Sequence, residues 1–329
     1  MEFLDRISAA IYPVVILGMV VGFGWAGLDW LNRQSAIATA QVPHEVAFGC
    51  AAAAIIGASW LLERMVPLRA MPQLRWVYHE RPRGRMRSVD SWTVYELIAV
   101  VAGGALLGAA VGHPELALLG IATQLIFAFA KPATLPNLLA AGRTRLVGTG
   151  SLAVQDSELV ADALAASWVS WRTPSIRPLV LRRLLRRNYL IIVAVLVALA
   201  AIALVNPLGS AVMVPLSIAW TVLGAAVYRC AETSRISPSH AWVFPIVLHS
   251  LLGAVLIWGL CRISPMALAA LATALGFGAY RRGRPRRVTT LTFADSGFGI
   301  STSPELIGYY LKGLSWVVGI SMIVFAGCL

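Results

Sequence analysis

The feature that most constrains this chain is a series of apolar stretches, each near 20 residues long, separated by polar segments. A helix needs about 20 predominantly apolar residues to cross the hydrocarbon core of a bilayer. We count eight or nine such stretches and predict an all-α, polytopic membrane protein. The predicted spans are Ala9–Leu31, Val46–Leu62, Trp92–Val111, Leu116–Ala130, Tyr189–Val205, Ala211–Tyr228, Trp242–Leu260, Met266–Tyr280 and Ile307–Leu329.

Composition excludes an ordinary soluble domain. Of the 329 residues, 58% are hydrophobic and 13% are charged, whereas soluble domains carry roughly 25% charged residues. So few polar groups cannot cover the surface of a soluble fold of this size, and the chain belongs with membrane proteins.

The net charge of +12 comes from arginines that lie in the segments between apolar stretches. Cytoplasmic loops of membrane proteins carry an excess of Lys and Arg. Placing the N-terminus in the cytoplasm puts nearly every basic residue on that side, and nine spans then leave the C-terminus outside. We therefore predict a bacterial inner-membrane protein that faces anionic lipid headgroups and binds no nucleic acid.

We divide the chain into three regions. Residues 1–140 form a first transmembrane half of four helices, and residues 141–188 form a basic cytoplasmic linker with amphipathic helices. Residues 189–329 form a second half and a C-terminal helix. In the linker, RPLVLRRLLRRN places leucines and arginines on different helical faces, which is typical of an interfacial helix. The alternative is a basic stretch that only flanks a span.

The two halves share a succession of landmarks that predicts a parallel 4+4 internal repeat. Trp92 and Trp242 open apolar runs of similar length, and a proline turn and a threonine follow each run. We expect Trp92–Lys131 and Trp242–Arg281 to form superimposable helical hairpins, related by an axis along the membrane normal. Many transporters are built from such repeats. The alternative is that two Ala- and Leu-rich hairpins align by composition alone.

Glu96 and His249 lie inside predicted spans and are the candidate intramembrane polar sites. Glu96 lies about one turn into its span, and His249 about two turns into its span. An ionisable residue within a membrane is a functional hypothesis by default. Near a helix end, however, such a side chain can reach water, and its role is then structural.

Motifs for nucleotide or ester chemistry are absent from the sequence. The chain has neither a GxxxxGK[ST] loop nor a GxSxG elbow, and His79-Glu80 is followed by Arg81-Pro82 instead of completing an HExxH zinc motif. We therefore predict no catalytic residue, no metal site and no bound cofactor in this chain.

The segment RPLVLRRLLRRNYLIIVAVLVALAAIA resembles the interface helix and first span of ABC-2-type exporter permeases. The tail RRVTTLTFADSGFGISTSPELIGYYLKGL is similar to the C-terminal region of actinobacterial ABC exporter membrane subunits. The chain departs from the ABC-2 pattern in having about nine spans rather than six. It also has no long cytoplasmic helix before its first span. The resemblance implies a permease subunit that exports an amphipathic or apolar substrate.

The resemblance also implies a separate ATPase subunit, which would bind the ATP. That subunit would contact the cytoplasmic segments Leu179–Arg187, Arg229–Trp242 and Met71–Val89. The candidate docking residues are Trp76, Arg81, Arg83, Arg85, Arg87, Arg182, Arg183, Arg186, Arg187 and Arg235.

Two other classes of function remain open from the sequence. A non-catalytic scaffold subunit of a larger inner-membrane complex also needs no catalytic motif, and it would copurify with subunits that are not ATPases. A lipid-modifying enzyme is the other alternative, in which the arginine-rich loops hold a phosphate.

Overall fold

The structure is a computed structural model, and it describes residues 22–30, 32–33, 37–71, 76–83, 91–154, 189–231, 240, 242–284, 294–295, 301–302 and 312–325. Residues 22–30 and 32–33 are helical. The further helices are α1 (His44–Met65), α2 (Ser91–Ala110), α3 (Leu116–Phe129), α4 (Leu135–Val154), α5 (Tyr189–Leu208), α6 (Met213–Ala231), α7 (Val243–Leu260), α8 (Pro265–Gly283) and α9 (Leu314–Phe325).

The fold of the described residues is helical, as the sequence predicts, with one small exception. Strands β1 (Ala294–Asp295) and β2 (Ser301–Thr302) form a two-residue antiparallel ladder. Short irregular helices also occur: a π-turn at Trp76–Glu80 and 3₁₀ turns at Arg81–Arg83 and Gly209–Val212.

Three helical stretches in the described part of the chain are long and apolar enough to cross a membrane. They are His44–Met65, Tyr189–Ala231 and Val243–Leu260. Val100–Ala110, Leu116–Phe129 and Leu314–Phe325 are shorter apolar helices. These helices support membrane localisation, because a soluble core rarely needs helices that are apolar on every side.

Local sequence explains where helix α8 begins and ends. Ser264 is its N-cap, and the Ser264 hydroxyl accepts a hydrogen bond of 3.1 Å from the backbone N–H of Ala267. Pro265 takes the first helical position, where a missing N–H costs nothing. Arg281 and Arg282 occupy the last turn, where positive charge is favourable with the helix dipole.

The described residues belong to two compact units. The first contains α1 to α4 and the end of α5, from residue 199. Within it α3 packs against α1 and α2, and α4 packs against α1. Ala47, Ala51 and Ile55 of α1 form a core with Val111, Leu116 and Ala203.

The second unit contains α6 to α9, residues 37–40 and the start of α5. Helix α8 is its centre and packs against α6, α7 and α9. Residues 38–40 run antiparallel to the end of α7, where Thr39 bridges Cys261 and the Ala40 N–H donates to the Leu260 carbonyl at 2.9 Å.

Candidate functional site

A group of polar side chains lies at one end of the first unit, among apolar helices. Glu63 occupies the last turn of α1, and one of its carboxylate oxygens accepts two hydrogen bonds. The donors are the Leu68 backbone N–H at 3.0 Å and the Gln124 side-chain amide at 3.2 Å. Lys131 and Arg145 lie close enough to act on this carboxylate electrostatically. We call Glu63, Gln124, Lys131 and Arg145 the Glu63 cluster.

Two members of the cluster, Gln124 and Arg145, are removed from water, whereas Lys131 is exposed. Gln124 is fully buried, and Arg145 is 5% exposed. An ionised carboxylate in such a place is stabilised by opposite charge and by hydrogen bonds to its oxygens. The hydrogen bond from Gln124 to Glu63 therefore joins α3 to the end of α1, and Arg145 of α4 lies near the same carboxyl group.

Gln124 leaves one buried acceptor unused. Its amide NH₂ donates to Glu63, while its side-chain oxygen has no hydrogen-bond partner among the described residues. Buried polar atoms in proteins are nearly always hydrogen-bonded, so each exception calls for an explanation. This oxygen can accept a hydrogen bond from a water molecule or from a hydroxyl or ammonium group of a bound molecule.

Nearby hydroxyl groups donate to backbone carbonyls of α3. The Ser59 hydroxyl donates to the Gly120 carbonyl at 3.4 Å, and the Thr123 hydroxyl donates to the Leu119 carbonyl at 2.7 Å. Among the described residues, no three His, Cys, Asp or Glu side chains are placed to hold a metal ion. The Glu63 cluster thus offers a carboxyl group, two cations and an unused acceptor.

Sequence analysis missed this cluster because it placed the end of the second span at Leu62. Helix α1 continues to Met65, so Glu63 lies inside it. Gln124 carries no charge, so a search for ionisable residues within spans does not find it. The signal that could have identified both is an acid at the end of one span together with an amide inside a neighbouring span.

His249, a predicted intramembrane polar residue, forms a reciprocal pair with Trp220. The His249 Nε2–H donates to the Trp220 carbonyl at 2.8 Å, and the Trp220 Nε1–H donates to the His249 carbonyl, also at 2.8 Å. The two rings stack with centroids 5.0 Å apart and planes 13° apart. Each ring donor is satisfied by the opposite helix, so the pair holds α6 against α7.

Glycines make room for both rings. Gly224 lies four residues after Trp220, and Gly253 lies four residues after His249. A Cβ at Gly224 would overlap the His249 ring, and a Cβ at Gly253 would overlap the Trp220 ring. This reciprocal arrangement is a packing device, and it favours the structural interpretation of His249.

The other predicted residues are only partly described. Glu96 lies in α2, but its side chain is outside the described structure. Trp76 is half-buried in the π-turn, and Arg81 is exposed in the 3₁₀ turn that follows. Arg83 ends that turn, and its side chain is not described. Outside the described residues lie Arg85, Arg87, Arg182, Arg183, Arg186, Arg187 and Arg235.

Two histidines meet at the opposite end of the first unit. His44 begins α1, and its Nε2 lies 2.9 Å from Nε2 of His113 in the turn between α2 and α3. His113 Nδ1 lies 2.6 Å from a Glu115 carboxylate oxygen. This hydrogen bond is the main cause that holds the pKa of Glu115 below its ordinary value. These contacts join the start of α1 to the turn between α2 and α3.

These observations describe three polar groups in an apolar helical protein: the Glu63 cluster, the Trp220–His249 pair, in which each ring donor is satisfied, and the contacts among His44, His113 and Glu115. Comparison with known proteins adds no relative, since no protein-family model, no curated protein and no solved structure matches this chain.

Proposed function

We propose that this chain is the membrane permease subunit of an ATP-driven, ABC-type exporter of an amphipathic or apolar substrate. A separate ATPase supplies the energy, because the sequence contains no P-loop of its own. The observation that carries the proposal is a set of membrane-length helices whose basic residues gather at one end of the second unit. That end would provide a cytoplasmic face for a partner.

The charge distribution of the second unit is markedly uneven. Tyr228, Trp242 and Tyr280 contact one another, which places the end of α6, the start of α7 and the end of α8 side by side. At this end lie Arg229, Arg281, Arg282, Arg284 and Lys312. Arg262, after α7, is the one Lys or Arg described at the other end. The pattern agrees with the positive-inside rule.

The first unit has a similar distribution around the Glu63 cluster. Arg64 lies in the last turn of α1, Arg69 follows that helix, and Lys131 follows α3. Arg69 lies over the Phe129 ring at 4.7 Å, so these helix ends are neighbours. At the far end, the described turn after α2 carries His113 and Glu115 and neither Lys nor Arg.

For topology we propose nine spans, with the N-terminus in the cytoplasm and the C-terminus outside the inner membrane. The stretch Tyr189–Ala231 has 43 residues, which is enough for two crossings at about 20 residues each. Reporter fusions after Arg87, Arg187 and Arg287 test the orientation. All three should report a cytoplasmic location, and an external location for any one of them contradicts this topology.

The internal repeat also remains a proposal. Helices α2 and α3 pack as a hairpin, and so do α7 and α8. Trp92 and Trp242 are 150 positions apart, as are Thr123 and Thr273. However, Thr123 is buried and Thr273 is exposed, so equivalent positions do not face the same way. If the repeat exists, α3 and α8 therefore bury different faces.

Partner docking is the test of the proposed function. Replacing Arg81, Arg83, Arg85 and Arg87 together with glutamate should abolish copurification of an ATPase subunit in mild detergent, because opposite charge speeds and orients docking. The matched control replaces the same four arginines with lysine, which keeps the charge. The lysine variant should retain the partner.

Two results would reject the permease proposal. One is transport activity by the purified chain alone. The other is a set of stable partners, identified by mass spectrometry, that contains no ATPase. The second result would favour a scaffold subunit instead.

A further inference from the structure

An exposed surface in the second unit combines aromatic rings with basic residues. Phe277 of α8 and Trp316 of α9 pack edge to face, with ring centroids 5.9 Å apart. Both rings remain open to the surroundings, since Phe277 is 44% and Trp316 is 52% exposed. They form an apolar surface at the junction of α8 and α9, which pack against each other.

Two arginines of α8 lie over aromatic rings of the same helix. Arg281 is four residues after Phe277, and its guanidinium lies over the Phe277 ring at 5.7 Å. Arg284 is placed in the same way over Tyr280, at 5.3 Å. Positions four apart share a helix face, so Arg281 lies one turn beyond Phe277 and Arg284 one turn beyond Tyr280, each on the same face as its ring.

The start of α9 brings a further cation to the same place. The Lys312 ammonium donates to the Arg284 backbone carbonyl at 3.4 Å, which ties the segment before α9 to the end of α8. The described residues of the second unit include one acidic residue, Asp295, whose side chain is not described. The described charge at this end is therefore strongly positive.

We propose that the end of α8 and the start of α9 form a binding site for an anionic phospholipid. Arg281 and Arg284 bind the headgroup phosphate, and an acyl chain lies along Phe277 and Trp316. Guanidinium groups are suited to phosphate because they present several N–H donors in one plane. An apolar column beneath the cations distinguishes a lipid from a free phosphate, which needs no such surface.

This inference rests on the placement of these helices in a membrane and not on the ATPase partner. Anionic lipids give the cytoplasmic leaflet a negative surface potential. The proposed orientation puts the end of α8 in that leaflet. The charge and the apolar surface therefore lie at the depths where the headgroup and acyl chain of one lipid lie.

The test uses the purified full chain in a non-ionic detergent, with its thermal unfolding measured against added lipid. Dioleoylphosphatidylglycerol should raise Tm in a saturable way, since a ligand that binds the native state stabilises it. Dioleoylphosphatidylcholine should raise Tm much less. Glycerol 3-phosphate, which has the phosphate but no acyl chain, should have no effect at the same concentration.

Variants identify the residues responsible. Replacing Arg281 and Arg284 together with glutamine should weaken the apparent affinity for phosphatidylglycerol about tenfold. Phe277→Ala should also weaken it, by removing the apolar surface. Arg262→Gln, at the other end of the unit, is the matched control and should leave the affinity unchanged.

Three results overturn the inference: equal stabilisation by phosphatidylcholine, equal stabilisation by glycerol 3-phosphate, or unchanged affinity in the double arginine variant. Failure of the permease proposal is separable from these. A chain without an ATPase partner can still show the phosphatidylglycerol effect, and a chain with that partner can lack it.

Discussion

The two units bury polar groups in opposite ways. In the first, the Glu63 cluster places a carboxylate beside two cations and leaves the Gln124 oxygen without a described partner. In the second, the Trp220–His249 pair satisfies each ring donor with a carbonyl of the facing helix. The stability of a charged group in apolar surroundings depends on its partners, whereas the stability of the stacked pair depends mainly on close packing. The first unit therefore contains a polar cluster with an unused acceptor, and the second contains a closely packed pair whose ring donors are both satisfied.

Of the substitutions proposed for this comparison, Trp220→Ala should cause the largest loss of stability. The change removes a large buried ring and leaves the space it filled, so we expect a loss of about 3–5 kcal/mol in the free energy of unfolding. Denaturant titration of the purified protein, followed by circular dichroism, measures it. Trp316→Ala is the control, because Trp316 is half exposed, and it should cost much less. Equal losses would contradict the assigned role of the pair.

Gly253→Ala tests whether close packing at the same pair contributes to stability. Its Cβ would overlap the Trp220 ring, so we expect a loss of about 1–3 kcal/mol from overpacking. Gly259→Ala in the same helix is a close control, since nothing lies within 4 Å of a Cβ at Gly259. That control should be neutral or slightly stabilising. Two equal effects in the unfolding assay would show that the reciprocal packing is unimportant.

Gln124→Met should change the free energy of unfolding by less than about 1 kcal/mol. The substitution loses the hydrogen bond to Glu63 but also removes a buried acceptor that lacks a described partner, and the two effects offset each other. The same denaturant titration measures the change. A loss of several kcal/mol would mean that the Gln124 oxygen holds a tightly bound donor, which would sharpen the contrast between the units.

Glu115→Gln should have the smallest effect, and that effect should depend on pH. The hydrogen bond with His113 holds the pKa of Glu115 below its ordinary value of 4.5. The ionised carboxylate therefore stabilises the fold above that value, and this contribution disappears as pH falls through the lower, folded-state pKa.

The measurement for Glu115 is the difference in Tm between the wild type and Glu115→Gln across this pH range. A small difference should be present at pH 6 and should vanish as the pH falls below 4.5. A difference that stays constant over the whole range would show that the carboxylate charge is not responsible.

Helix positions were largely predictable from the sequence, but the polar sites were not. Span boundaries agree with helices such as α3 and α7 to within a few residues, because hydrophobic length is a local property. Helix α1 extends three residues beyond Leu62, the predicted end of the span, and this extension places Glu63 inside the helix. The sequence marks His249 as a candidate polar residue, but it does not identify Trp220, 29 positions earlier, as its partner.

The sequence by itself determined that this protein is helical and apolar, and it placed the basic residues in the segments between apolar stretches. Those properties follow from residue type and spacing along one helix. Only the tertiary structure decided that Glu63 meets Gln124 and that Trp220 and His249 pair across two glycines. The physical reason is that these helices are apolar on all sides, so no periodic pattern marks the face that will meet a neighbour.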